Sequence, residues 1–284
     1  MGKDNVAILA ETLWILNQGA YEKNGKIVPL QLSRDQMEAS HVLLPNNVRD
    51  VCSREPRGVH TAGECKVCCL KMDSFEAAVN MTQERKGKGE SKNPVLVLNF
   101  ANPVNIGGGV YKGARAQEED LCRRSSLLRS LESKHALHYY QYNRAFHTYL
   151  GTDAMIFSPE VEVFRDEYCE LMQETIIVAV LTCAAPLISH GLEGLSEREY
   201  RGLFYNRIVG MLKCAAYFGY ENLVLGAWGC GAFGNDAAVV SDLFYQAMED
   251  IQAKNLFRRI VFAVRSKGEE SYNFREFSRN FGSK

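Results

Sequence analysis

At 284 residues, with 46% hydrophobic and 24% charged residues, the chain has the make-up of a globular protein able to bury a substantial core, as one large domain or two small ones. A formal charge of −1 removes any blanket electrostatic reason to bind nucleic acid or anionic lipid, so direct DNA binding is not expected and an anionic ligand must be met by a local site. The longest apolar run, residues 175–188, is interrupted by Pro186 and too short to cross a bilayer, and nine scattered cysteines, an odd number, speak against a secreted disulfide framework.

The N-terminus carries no targeting or lipidation spelling, so a cytoplasmic protein with reduced thiols is the expectation. Val6, Leu9, Leu13 and Leu16 predict an amphipathic helix that Gly19 stops. Pro29, Pro45 and Pro56 then punctuate a stretch without sustained periodicity, so residues 1–60 read as an extension packed on a larger domain at 61–284. Cys65, Cys68 and Cys69 invite a metal check, but only Cys52 and His60 lie nearby to complete four ligands, and no metal is expected.

Residues 65–72 predict a short strand, and Asp73 or Ser74 caps the helix that follows, with a polar turn at 85–90. Val95-Leu-Val-Leu-Asn-Phe100 is a continuous apolar run, the pattern of a strand buried on both faces, and it ends at Gly107-Gly-Gly109. A helix over 117–131 comes next, then a tyrosine-rich segment at 138–149 and strands near 161–164 and 175–182. Ser196 and Glu199 spell a capping box for a long helix to about Phe218, with Gly219 placed to end it. Residues 223–225 form another buried strand that runs into Gly226-Ala-Trp-Gly-Cys-Gly-Ala-Phe-Gly234. Asp236 caps a helix over 237–252, and Arg259 to Val264 supplies a last strand. Alternating strands and helices argue for an α/β sheet covered on both faces, and there is no internal repeat.

Both glycine loops sit where strands end, the edge at which open α/β sheets bind ligands. Glycines let backbone amides approach phosphate oxygens, and the helix behind adds its unpaired amides and dipole. Glycines can equally serve only as tight turns, and neither loop spells a Walker or dinucleotide fingerprint. Glu118 and Glu119 open the helix after the first loop. Such a pair is ordinarily a solvated first turn that complements the dipole, but seven residues beyond a phosphate-like loop it is also the equipment for cleaving a glycosidic bond. Helical neighbours point about 100° apart, so the two acids would divide the labour.

Asn99-Phe-Ala-Asn102-Pro-Val-Asn-Ile-Gly107-Gly-Gly109, the seven-residue spacer and Gln117-Glu118-Glu119 resemble the signature of poly(ADP-ribose) glycohydrolases, most closely the compact bacterial-type enzymes built on a macrodomain. Gly226 to Gly234 is similar to that family's second, diphosphate-binding loop, and Ser158 to Asp166 and Ala184-Ala-Pro186 also look like the bacterial type. The resemblance implies a macrodomain-like three-layer α/β/α fold with a mixed central sheet and an N-terminal helical extension. It implies release of ADP-ribose from poly(ADP-ribose), mainly from chain ends, with no cofactor. Glu119 would be the catalytic acid and its conjugate base would activate water. Glu118 would hold ribose hydroxyls, Gln117 would support the pair and Asn102 would bind the distal ribose. Gly107, Gly108 and Gly109 would bracket the diphosphate with Gly229, Cys230, Gly231 and Ala232, and Phe233 would pack on the distal ribose. An adenine-stacking residue is sought in Phe262 to Ser266.

Trp228 reads as a packing residue, Cys230 as a small-residue requirement, His135, His138 and His147 as surface or core histidines, and Arg123 and Arg124 as a solvated pair of which one could reach an outer polymer phosphate. The expected partners are poly(ADP-ribose) or ADP-ribosylated proteins, with ADP-ribose as product and the protein a monomer. Removal of a single ADP-ribose from a side chain, non-catalytic ADP-ribose binding and hydrolysis of another nucleotide-sugar bond are the alternatives.

Overall fold

The computed structural model describes residues 4–55, 65–88, 93–266 and 271–282. Ahead of residue 56 the chain forms α1 (Asn5–Gln18), a hairpin of β1 (Ala20–Lys23) and β2 (Lys26–Pro29), α2 (Arg34–Glu38), β3 (His41–Leu43) and α3 (Pro45–Cys52). Then come β4 (Lys66–Leu70), α4 (Ser74–Lys88), β5 (Leu96–Phe100), α5 (Gln117–Arg124), α6 (Leu127–Leu131), α7 (Leu137–Phe146), β6 (Met155–Arg165) and β7 (Leu171–Cys183). The chain closes with α8 (Glu197–Tyr217), β8 (Asn222–Leu225), α9 (Ala237–Asp250), β9 (Arg259–Ala263) and α10 (Tyr272–Phe281). Pro56, His60 and residues 89–90 lie outside the described residues, and the start of the turn expected at 85–90 is instead helical, because α4 continues to Lys88.

Seven strands make one sheet in the order β3-β6-β7-β5-β8-β9-β4. β6 pairs antiparallel with both β3 and β7, and the remaining pairings are parallel, so the sheet is mixed as expected. Strand alternation decides which core each side chain enters. Leu96 and Leu98 face a core closed by α3, α8, α9 and α10, while Val95 and Val97 face one closed by α4 to α7. The result is the three-layer α/β/α arrangement. A smaller cluster around Phe164, Tyr21 and Ile15 joins α1 and the hairpin to the sheet.

Caps explain several boundaries. Gly19 ends α1 at φ +71°, Asp73 accepts from the Glu76 amide at 2.8 Å, and Ser196 and Glu199 make the reciprocal box at the start of α8. Two further expectations are corrected. The single helix over 117–131 is two helices, because Ser125 turns fully extended (φ −151°, ψ −179°) and bridges Val163 of β6. Its hydroxyl donates to the Leu121 carbonyl at 2.8 Å, and Ser126 trades two hydrogen bonds with Glu162, so serine side chains compete with the helical ladder. The strand near 161–164 is longer, 155–165, with a register shift between Ser158 and Val161 where Pro159 removes a ladder donor and masks the pattern.

Candidate active site

β5 ends at Phe100, and Gln117 fastens the first turn of α5 to that end. Its Oε1 accepts from the Phe100 amide at 2.8 Å, and its Nε2 donates to the Leu98 carbonyl at 2.8 Å and to Ser74 Oγ at 3.0 Å. With the helix start fixed, Glu118 and Glu119 point inward. They are 2% and 7% exposed, which excludes a solvated first turn.

Glu118 Oε1 accepts from Asn99 Nδ2 at 3.2 Å and Oε2 from the Asn102 amide at 2.8 Å. Burial nonetheless outweighs these hydrogen bonds and pushes its pKa up to about 8, with the neighbouring Glu119 charge adding to the rise. Glu119 Oε1 accepts from the Gly109 amide at 2.8 Å. Its Oε2 is buried with no hydrogen-bond partner among the described residues, and a buried oxygen left in that state points to a group the protein does not supply.

The triple glycine has a steric reason. Gly108 sits at φ +61°, and a Cβ there would stand 2.4 Å from Glu119 Oε1 and 3.1 Å from Glu118 Oε2. Gly107, at φ +62°, would meet Leu128 Cδ1 at 2.9 Å. Only a glycine backbone both turns left-handed and lies against the carboxylates. Asn102 shapes the approach: its Oδ1 accepts from the amides of Val104 at 3.0 Å and Asn105 at 2.8 Å.

The second loop is built differently. Trp228 is fully buried, edge-on to Phe204, and donates from Nε1 to the Cys183 carbonyl at 3.1 Å, so it sets loop shape. Gly229 (φ +76°) is pressed against Asn235 and Ala185. Asn235 itself was not anticipated from sequence. Its Nδ2 donates to the carbonyls of Pro186 (2.8 Å) and Gly229 (2.9 Å) while Tyr200 donates to its Oδ1 (2.8 Å), and the only signal was its place between Gly234 and the helix cap Asp236. Around Gly231 a Cβ would meet nothing within 4 Å, and the amides of Gly231, Ala232 and Phe233 have no acceptor among the described residues. Burial pushes the Cys230 thiol up to about 12, so it stays protonated.

A cavity of about 330 Å³ opens beyond the carboxyl ends of β4, β5, β8 and β9. Gly229, Gly231 and Phe233 line one side, Phe100 and Gln117 another, and Asp73 a third. The two glutamates stand beside this cavity rather than in its wall.

Arg123 and Arg124 overturn the solvated reading: they are 3% and 1% exposed. Arg124 Nη1 pairs with Asp73 at 2.9 Å and Asp120 at 2.8 Å and its guanidinium covers the Phe75 ring, tying α5 to the head of α4. Arg123 donates to the Ala114 carbonyl in the spacer. Phe262, within the stretch searched for an adenine-stacking residue, is fully buried and stacks on Phe281 at 4.1 Å, whereas Val264 and Arg265 reach the cavity. The motif residues Glu162 and Arg165 also lie away from the cavity. Glu162 accepts from the amides of Gln31 (2.7 Å) and Leu32 (3.0 Å), and Arg165 donates to Thr12 and Glu11, so both stitch the N-terminal segment to the sheet. His135, His138 and His147 are exposed. Cys65, Cys68 and Cys69 lie on β4 and its lead-in with thiols raised by burial, and no three metal-ligating side chains cluster among the described residues.

Residues 10–166 match the family model of the microbial-type PARG catalytic domain. The chain belongs to that family. The poly(ADP-ribose) glycohydrolase of Thermomonospora curvata is similar at 30% identity, with 98% of this chain and 99% of that one covered and a TM-score of 0.85, and the same figures hold for its complex with the inhibitor ADP-HPD. The poly(ADP-ribose) glycohydrolase of Deinococcus radiodurans in complex with ADP-ribose is 31% identical over 88% of this chain and 98% of that one, with a TM-score of 0.73. Comparison with curated proteins returned no match. Membership in the family accounts for the macrodomain-like fold. No helix among the described residues is long and apolar enough to cross a membrane.

Proposed function

We propose that this member of the PARG family hydrolyses the ribose–ribose O-glycosidic bond of poly(ADP-ribose), releases ADP-ribose mainly from chain ends, and does so with Glu119 as the acid. The observation that carries the reading is the buried, unpartnered Oε2 of Glu119, whose other oxygen, Oε1, accepts from the Gly109 amide and lies against Gly108. A protonated Glu119 gives its proton to the leaving 2′-oxygen of the next adenosine as the C1″–O bond breaks and the distal ribose held in the site gains oxocarbenium character. Water adds to C1″ and returns its second proton to the Glu119 carboxylate, restoring the acid.

Glu118 keeps lone pairs free beyond its two accepted hydrogen bonds, and these take ribose hydroxyls. Asn102 adjoins the distal ribose, and Gln117 fixes the acidic turn. The diphosphate lies between Gly107–Gly109 and Gly229–Ala232, with the free amides of 231–233 as its main donors and Phe233 against the distal ribose. The nucleoside enters the 330 Å³ cavity. Fixed backbone dipoles stabilise the developing charge, so the reading needs neither metal nor cofactor.

Residues 1–60 act as an extension on the catalytic domain. Asn5 Nδ2 donates to the Gly113 carbonyl at 2.9 Å and Thr12 to the Arg123 carbonyl at 2.6 Å, so α1 closes one side of the first loop, which suits a site entered by a chain end. The protein works as a cytoplasmic monomer on poly(ADP-ribose) or its protein carriers. Incubation with labelled poly(ADP-ribose) and with mono-ADP-ribosylated protein, followed by identification of the released species, tests the reading. ADP-ribose accumulating from polymer from the first minutes supports it. Cleavage of the mono-modified protein alone, or binding without any cleavage, replaces it.

A further inference from the structure

Between the two glycine loops runs a short rim that the catalytic reading does not use. Residues 148–151 follow α7, and both reach the stretch that leads into the first loop: Arg144 of α7 donates twice to the Val104 carbonyl, at 3.1 and 2.8 Å, and a Cβ at Gly151 would come 3.9 Å from Pro103 Cβ. The same segment is tied to the second loop. The Leu187 amide donates to the Tyr149 carbonyl at 3.1 Å, and the next two amides, Ile188 and Ser189, donate to the Phe233 carbonyl at 2.9 and 3.2 Å. Tyr149 therefore lies in a segment joined through residues 187–189 to Phe233 and, two residues on at Gly151, adjoining Pro103, the neighbour of Asn102.

Its ring is not used for packing. Tyr149 is 56% exposed, and its one aromatic ring neighbour among the described residues is the exposed His190, with centroids 5.0 Å apart and planes at 40°. Yet the backbone beneath it is firmly held. Glu193 accepts from the Tyr149 amide at 2.9 Å and from the Thr148 hydroxyl. Glu193 and His147 are both non-glycine residues at φ +50°, a conformation that costs free energy and persists only where the surroundings impose it. By contrast Phe146, similarly exposed, leans on Tyr142 in α7.

The chemistry of the polymer says what would meet such a ring. The oxygen that leaves is the 2′-oxygen of the next adenosine, and its adenine hangs on the adjacent carbon, C1′. Wherever Glu119 reaches that oxygen, a base stands within one nucleoside's span, outside the cavity. We propose that Tyr149, flanked by His190, is a stacking platform for the adenine of the leaving unit, a second base site beyond the ADP-ribose pocket. An exposed aromatic face on a fixed backbone stacks on a base at little ordering cost. The proposal rests on the glycohydrolase reading, because only a polymer presents that second adenine.

The test measures affinity in the full chain carrying Glu119→Gln, so that bound polymer is not turned over. Two probes are compared, ADP-ribose and the dimer of two ADP-ribose units. The dimer is expected to bind about tenfold more tightly than ADP-ribose, in line with one stacked base. Tyr149→Ala should erase that advantage and leave ADP-ribose affinity unchanged, while Tyr149→Trp should keep it. A dimer that binds no better than ADP-ribose overturns the platform, as does a Tyr149→Ala variant that weakens both probes alike. Cleavage of labelled polymer by the wild-type chain is read separately, so loss of the glycohydrolase reading shows as no released ADP-ribose, whichever way the affinities fall.

Discussion

The two glycine loops look alike in sequence and do opposite things with their backbones. In the first, the Gly108 amide is committed to the Asn105 carbonyl and the Gly109 amide to Glu119, and the missing side chain at Gly108 makes room for the carboxylates. In the second, Gly229 is packed against Asn235, but the amides of 231–233 have no acceptor among the described residues and a Cβ at Gly231 would meet nothing within 4 Å. One loop spends its glycines on seating acids, and the other keeps backbone amides without an acceptor among the described residues. Glycine content alone therefore does not mark a phosphate cradle; unspent amides do.

The comparison breaks first at Glu119. Glu119→Gln keeps the Oε1 acceptor for Gly109 but removes the proton, so kcat on poly(ADP-ribose) should fall by about 10²- to 10⁴-fold with ADP-ribose affinity retained. Quantifying released ADP-ribose alongside calorimetric binding checks both halves. Gly108→Ala comes next. Its Cβ would overlap Glu119 Oε1 at 2.4 Å in a left-handed backbone, so turnover should drop by about 10²-fold and stability by about 1–3 kcal/mol. Gly231→Ala should fold as well as the wild type, since nothing lies within 4 Å, while ADP-ribose affinity falls about tenfold if the amide approaches phosphate. Equal behaviour of the two glycine variants in melting and binding assays would erase the proposed difference between the loops.

The loops were legible in the sequence because each motif is contiguous: in the first, strand, glycines, spacer and acids follow one another from Val95 to Glu119, in the second, strand, glycines and helix cap from Asn222 to Asp236, and local pattern suffices. What escaped was set by distant partners. Arg124 looks like a solvated helix residue until Asp73, 51 positions earlier, is found beside it. The break at Ser125 depends on Val163 of β6, and β3 is a strand only because three residues find Met155 to Phe157. Asn235 buttresses the second loop through the Pro186 carbonyl and the Tyr200 hydroxyl, neither near it in sequence. The mixed sheet itself followed from the family resemblance more than from periodicity, since a buried antiparallel strand such as β6 reads much like a parallel one.

Glu118, beside the first loop, also carries a pH signature in the neutral range. Glu118 is raised to about 8 in the folded protein, above the ordinary carboxyl value it recovers on unfolding. Between about pH 4.5 and 8 the native state therefore holds a proton that the unfolded chain releases. Its contribution to stability is fully present below the unfolded pKa and is lost as pH rises through the folded one, with a slope of up to about 1.4 kcal/mol per pH unit. Urea unfolding at pH 5, 6.5 and 8 should show this decline in the wild type and a flatter profile in Glu118→Gln. Parallel profiles for the two proteins would mean that Glu118 is ionised in the fold.

Glu162 offers the contrast outside both loops. It is fully buried, yet it faces the amides of Gln31 and Leu32 rather than any ligand, and its work is to hold the N-terminal segment on β6. Glu162→Gln sets an amide NH₂ against one of those two donors, leaving a buried group unsatisfied at a cost of about 1–3 kcal/mol. The melting temperature should drop while kcat, measured well below it, stays within about twofold, because neither glycine loop touches Glu162. A matching loss of kcat would show that the seating of α1 against Gly113 and Arg123 reaches Glu119, making the extension part of the first loop's machinery rather than its wall.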